Sequence, residues 1–158
     1  MGVPNVSVVI PTLNREQELA QCLESLTDET LNIQWIILRQ RGPLAVLRND
    51  GLRQVRASIV LFCDDDVVAS PGYLRRVLAC LARPDIVGCT GPSHIPSTYL
   101  RARELFKYQC LLTIYNHCFV VPESRPGHLT QAGTFVPIPD STYQGPVQFL
   151  EACHMSFQ

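Results

Sequence analysis

The chain has 158 residues, a formal net charge of −1, 46% apolar residues and 17% charged ones. That length gives one domain with room for a sizeable core, and that composition excludes a disordered chain. Near-neutrality excludes a global basic field of the kind that recruits nucleic acid or an anionic membrane.

Val6 to Ile10 (VSVVI) is a short β-branched run closed by Pro11, which predicts a buried parallel strand. Asn14 is placed to cap a following helix, with Gln17 three residues on in capping-box register. Leu19, Cys22, Leu23 and Leu26 then form one helical stripe. Ile33 to Leu38 (IQWIIL) is a second strand candidate. Gly42-Pro43 opens another helix, whose apolar face is Leu44, Leu47, Gly51, Leu52 and Val55, with Arg48, Asn49 and Arg53 toward its edges. Ser58 to Cys63 (SIVLFC) is a third buried strand and runs directly into Asp64, Asp65 and Asp66. Ser70-Pro71 predicts a helix start with proline at the first helical position, backed by a stripe of Leu74, Val77, Leu78 and Leu81. Ile86 to Gly91 predicts a fourth strand.

The second half is less regular. Tyr99 to Val121 carries a long mixed helix pattern, and Pro122 to Pro126 breaks it. Residues 127–146 predict loops with short strands such as Gly133 to Val136, and Val147 to Leu150 is a further strand candidate. Strands alternating with helices predict an α/β fold with a doubly wound, mostly parallel sheet. Ligands in such sheets sit beyond the carboxyl ends of the strands. Pro11-Thr12-Leu13-Asn14 and Asp64-Asp65-Asp66 both fall there.

Seven cysteines, odd in number and widely spaced with no CxxC, predict buried free thiols in a reducing compartment rather than a disulfide framework or a zinc site. The start, MGVPNVSVVIPT, lacks a signal-peptide pattern, and no run reaches the roughly 18 apolar residues of a membrane span. The expected location is cytoplasmic, with the inner face of the membrane and peripheral association as the alternative.

The acidic triplet carries the most chemistry. Consecutive carboxylates after an apolar strand repel one another and lose hydration unless something neutralises them. A hard divalent cation does so through oxygen ligands, and Mg²⁺ or Mn²⁺ held by one or two carboxylates completes its shell with water and phosphate oxygens. In extended backbone Asp64 and Asp66 point to one side, so that both could face one ion or one could bind the ion and the other the ligand's sugar. The competing reading is a solvated acidic turn before the next helix. Arg48 offers a donor fork that suits phosphate oxygens, and Asn49 suits a ribose hydroxyl or base edge; an ordinary surface helix face is the plainer reading of both. The four histidines show no zinc spacing, and His154 is the one expected near a ligand.

These residues resemble family-2 glycosyltransferases. VSVVIPTLNR (6–15) is similar to the family's opening strand and turn, and GPLAVLRNDGL (42–52) to its helix with an Ala-Arg-Asn core, here Leu47-Arg48-Asn49. SIVLFCDDDV followed by SPGYL resembles its DXD strand and helix, and FLEACHMSF (149–157) its later Gly-x-Asn-Met-Ser-Phe segment. The resemblance implies a GT-A fold in a single domain, with residues 1–95 as the nucleotide-binding half and 96–158 as a partial acceptor-side half. It implies transfer of a sugar, with inversion, from a nucleoside-diphosphate-sugar donor to the hydroxyl of a saccharide or lipid-linked acceptor. Pro11, Thr12, Asn14, Arg48, Asn49, Asp64 and Asp65 would bind the donor, and Asp66 with Asp64 would hold Mg²⁺ or Mn²⁺.

Some positions depart from the family pattern. The acidic loop after the second strand, which contacts the base, is missing, and IQWIIL runs straight into Arg39-Gln40-Arg41. Ala152, His154 and Gln158 replace the later segment's Gly, Asn and Arg. The family's catalytic base would lie beyond Gln158, with Asp140 and Glu151 as weak substitutes, so a truncated chain that binds donor without turnover is one expectation. The alternatives are a non-catalytic nucleotide-sugar-binding module and a nucleotidyltransferase. The last expects a Gly-rich loop where Pro11-Thr12-Leu13-Asn14 stands.

Overall fold

The computed structural model of the chain describes residues 2–91 and 154–157. All but Gly91 fall in one compact unit, Met1–Thr90 with Glu151–Gln158; a second unit, Gly91–Leu150, lies otherwise outside the described residues. The elements run β1 (Val6–Pro11), α1 (Glu16–Leu26), β2 (Ile33–Leu38), α2 (Leu44–Leu52), β3 (Val60–Cys63), α3 (Tyr73–Leu81), β4 (Gly88–Cys89) and β5 (His154–Phe157). They build an α/β fold around one sheet of strand order β2-β1-β3-β5-β4.

β1 pairs in parallel with β2 and with β3. β5 enters antiparallel between β3 and β4, so the other four strands share one direction. The sheet is mostly parallel, as the alternation of strands and helices predicts. β1 is an interior strand, buried over its first five residues, and its β-branched apolar run is broken only by Ser7, itself buried.

The period-2 pleat sorts β1 between two cores. Val6, Val8 and Ile10 pack on one side with Leu19, Cys22 and Leu26 of α1, Leu61 and Cys63 of β3, and Leu74 of α3. Val9 points to the other side and packs with Ile36, Leu38, Phe62 and Leu47 of α2. Fully burying one such side chain contributes roughly 1.5–3 kcal/mol. α2 lies close to the sheet because Gly51 has no Cβ: one placed there would stand 2.4 Å from Val9 Cγ1.

Several predicted boundaries shift. Asn14 does not cap α1; it takes a left-handed conformation with φ of 55°, and the N-cap is Arg15, which makes no side-chain cap bond. A residue that turns the chain this way cannot also hold the extended cap geometry. α3 begins at Tyr73, after a left-handed Gly72, so Pro71 belongs to the preceding turn. β3 begins at Val60, and β4 is only Gly88–Cys89. α2 stops at Leu52, and Leu44 and Leu52 are exposed rather than part of a buried face. β5 forms where the sequence pattern showed no strand. The helix expected over Tyr99–Val121 and the strands expected over Gly133–Val136 and Val147–Leu150 lie outside the described residues. No helix among the described residues is long and apolar enough to cross a membrane. Cys22, Cys63, Cys80 and Cys89 are free thiols.

Candidate functional site

Two turns meet at the carboxyl ends of the parallel strands. One follows β1 and carries Thr12 to Arg15; the other follows β3 and carries the three aspartates. Thr12 Oγ1 donates to Asp65 Oδ2 at 2.7 Å, and Arg15 donates to Asp65 Oδ1 at 2.8 Å. The same guanidinium reaches Asp66 Oδ2 at 2.9 Å. Asp65 is thus buried, 5% exposed, with both carboxylate oxygens engaged. It ties the β1 turn to the β3 turn.

Asp64 turns the other way. Arg48 of α2 donates to its Oδ1 at 3.2 Å. That guanidinium also lies over the ring of Phe62, 5.8 Å from its centroid, and its side chain is mostly buried. Burial raises the Asp64 carboxyl above the usual carboxylate range; Arg48 pulls it back down, and the Asp66 charge adds to the rise. The Arg15 guanidinium is held more firmly protonated, above all by its bond to Asp66.

The extended backbone expected at Asp64 to Asp66 does not form, because β3 ends at Cys63, yet both side chains line the cavity. The backbone turns there, and the Val67 amide donates to the Asp64 carbonyl at 3.4 Å. The thiol of Cys63 donates to the same carbonyl at 3.4 Å, and that of Cys22 at 3.6 Å, so the turn rests on two side chains of the core.

A cavity of about 550 Å³ opens beside these groups. Pro11, Thr12, Leu13 and Arg15 line it from the β1 side, and Asp64, Asp65 and Asp66 from the β3 side. Gln40, Arg41, Gly42, Leu44 and Leu47, between the end of β2 and the first turns of α2, close the remaining side. Leu13 and Leu44 are 40% and 43% exposed and give this polar cavity an apolar surface.

The structure therefore gathers Pro11, Thr12, Asp64, Asp65 and Asp66 around one cavity. It leaves out three residues the sequence suggested. Asn14 is exposed and does not line the cavity, nor does Asn49. Arg48 is engaged with Asp64 and is not a lining residue. His154 lies in β5, opposite Cys63 in the strand register. Arg15 and Arg41 are cavity residues outside the predicted site, although Arg41 belongs to the arginine-rich stretch Arg39, Arg41, Arg48, Arg53 and Arg56 that favours a phosphate ligand. Arg15 had a signal: clustered carboxylates need counter-charge, and Arg15 is the first cation after β1.

Among the described residues, no group of three or more His, Cys, Asp or Glu side chains is arranged to hold a metal. The donor chemistry nonetheless fits a hard cation of the kind held by few protein ligands. Asp64 and Asp66, 36% and 52% exposed at the side chain, offer carboxylate oxygens beside the cavity. A cation there would complete its shell with water and phosphate oxygens.

Comparison with known proteins bears on the family of the chain. Residues 29–129 match the family described as Glycosyl transferase family 2. The chain is 30% identical to validoxylamine A glucosyltransferase of Streptomyces hygroscopicus subsp. limoneus, over 55% of this chain and 27% of that protein. It is 27% identical to the uncharacterized glycosyltransferase YwdF of Bacillus subtilis (strain 168), over 52% of this chain and 40% of that protein. The chain thus matches well under half the length of either relative. The family match covers most of the sequence and takes in β2, α2, β3 and the three aspartates, and on that basis the chain belongs to glycosyl transferase family 2.

Proposed function

We propose that the described unit is the donor-binding part of a glycosyltransferase, and that its cavity receives a nucleoside-diphosphate sugar. The observation that carries this reading is the joining of the β1 and β3 turns through Thr12, Arg15, Asp65 and Asp66, at the strand ends where α/β sheets bind ligands. In this reading Asp65 fixes the geometry, and Asp66 with Asp64 presents oxygens to Mg²⁺ or Mn²⁺. When bound, that ion would stabilise charge developing on the leaving diphosphate. Leu13 and Leu44 supply apolar surface for the nucleoside. The reaction is transfer, with inversion, to the hydroxyl of a saccharide or lipid-linked acceptor.

Titration calorimetry with UDP-, GDP- and dTDP-sugars, with and without Mn²⁺, tests the reading. Binding of at least one donor is expected, strengthened by Mn²⁺. Asp66→Ala should abolish the Mn²⁺ enhancement while leaving the circular dichroism spectrum unchanged. Absence of binding by every donor would refute the proposal. Turnover, including donor hydrolysis above background, separates a transferase from a nucleotide-sugar-binding module, which would bind donor without consuming it.

A further inference from the structure

The cavity carries three carboxylates on one wall and a single arginine on the β2–α2 side, and among the described residues that arginine is the lining cation without an ion pair. Its charged lining residues are Asp64, Asp65 and Asp66 against Arg15 and Arg41. Arg15 is spent on Asp65 and Asp66. Arg48, the nearest arginine outside the lining, is engaged with Asp64. The neighbouring Arg39 pairs with Glu16, and Arg53 pairs with Asp50. Arg41 is exposed and makes no ion pair with any carboxylate among the described residues. A di-anionic or tri-anionic group entering here meets three aspartates and a guanidinium already neutralised by two of them. With no cation on the aspartates, Coulomb repulsion in a partly desolvated cleft is costly, and positive charge elsewhere on the rim then favours such a ligand.

We infer that Arg41 is a binding residue for the diphosphate of the donor, acting from the β2–α2 side of the cavity and independently of any cation held by the aspartates. The inference rests on the donor-pocket reading and adds to it a residue and a charge arrangement. A guanidinium presents its N–H groups as a fork that matches two phosphate oxygens, which an ammonium cannot do. Gln40 and Gly42 flank it on the cavity rim, and Leu44 follows on the same side. In this arrangement the diphosphate would lie within reach of Arg41 and the nucleoside against Leu13 and Leu44.

The test is calorimetry of the full chain with UDP, GDP and inorganic pyrophosphate, in EDTA and again with Mn²⁺. It compares wild type, Arg41→Gln and a control, Arg83→Gln, which removes an exposed charge paired with Asp85 outside the cavity. Hydrogen bonds to charged groups contribute roughly 1.5–3 kcal/mol, so Arg41→Gln should weaken the nucleoside diphosphate about ten- to hundredfold. The factor should be similar in EDTA and in Mn²⁺, and Arg83→Gln should bind as wild type does. Equal affinity of wild type and Arg41→Gln for a diphosphate that the wild type binds would overturn the Arg41 assignment alone. A loss of equal size in Arg83→Gln would overturn it too, as a general effect of net charge. Failure of the wild type to bind any of the three probes would overturn the donor pocket and the Arg41 assignment together.

Discussion

The two faces of the sheet are built to different depths. On one side two helices, α1 and α3, cover a core that takes Val6, Val8 and Ile10 of β1, Leu61 and Cys63 of β3, and four helical side chains. On the other, α2 is the helix that packs, and its core is five residues. The thin face compensates by proximity: Gly51 brings the α2 backbone against Val9. The thick face sits under the Asp64 turn through Cys22 and Cys63, while the thin face supplies the cavity wall that includes Leu44 and Leu47. The cavity thus draws on both faces: the larger core supports its acidic turn, and the smaller core supports the wall that includes Leu44 and Leu47.

Substitutions that shorten a buried side chain should break this comparison most visibly. Leu61→Ala, in the centre of the thick face and fully buried, should cost about 3–5 kcal/mol, within the usual range for large-to-small core changes. Leu47→Ala on α2 should fall near the low end of that range, about 2 kcal/mol, since the thin face encloses it less completely. Urea midpoints at unchanged slope measure both, and equal losses would show that the two faces are equally consolidated.

Gly51→Ala comes next. The added Cβ would lie 2.4 Å from Val9 Cγ1 and 3.2 Å from Cγ2, and overpacking of this kind costs roughly 1–3 kcal/mol. Val9→Ala in the same chain should remove the clash, so the double variant should be less destabilised than the sum of the single ones. Simple additivity would mean that α2 shifts outward instead of pressing on the sheet.

The smallest effect concerns the rim of the thick face. Arg75 of α3 donates to both oxygens of Asp28, which follows α1, at 2.5 and 3.1 Å. Arg75 foremost, with the hydroxyl and amide of Thr30, holds the Asp28 carboxyl well below its ordinary value of 3.8. A carboxyl depressed in the folded state stabilises the fold above its unfolded pKa and loses that contribution as pH falls. The stability difference between wild type and Asp28→Asn should therefore be constant at neutral pH and shrink from about pH 4 downward. A difference independent of pH would remove the ion pair from the account.

The parallel half of the fold was legible in the sequence because its strands are short runs dominated by apolar residues, VSVVI, IQWIIL and VLFC, with single polar interruptions at Ser7 and Gln34. The helical stripe Leu19, Cys22 and Leu26 was equally plain. β5 was not, because HMSF is short and mixed and becomes a strand only through partners on β3 and β4. At the site, the meeting of the β1 and β3 turns followed from topology. The division of labour among the aspartates did not: it depends on a turn at Asp64, and period-2 reasoning stops where the strand stops. Past that point Asp65, the middle carboxylate, is the buried one, and Arg48 engages Asp64 without lining the cavity.

The antiparallel insertion of β5 also sets an order of assembly. A ribosome releases residues 154–157 after every other described strand, yet β5 is the strand that joins β4 to the rest of the sheet. Until then β3 presents an open row of backbone donors and acceptors on the side where β5 will lie, and such an edge is a template for wrong pairing. The aspartates stand at the end of that same strand. During synthesis, closure of the β3 edge is therefore the late event, and the nascent chain carries its acidic turn on an unfinished border until a distant segment arrives to seal it.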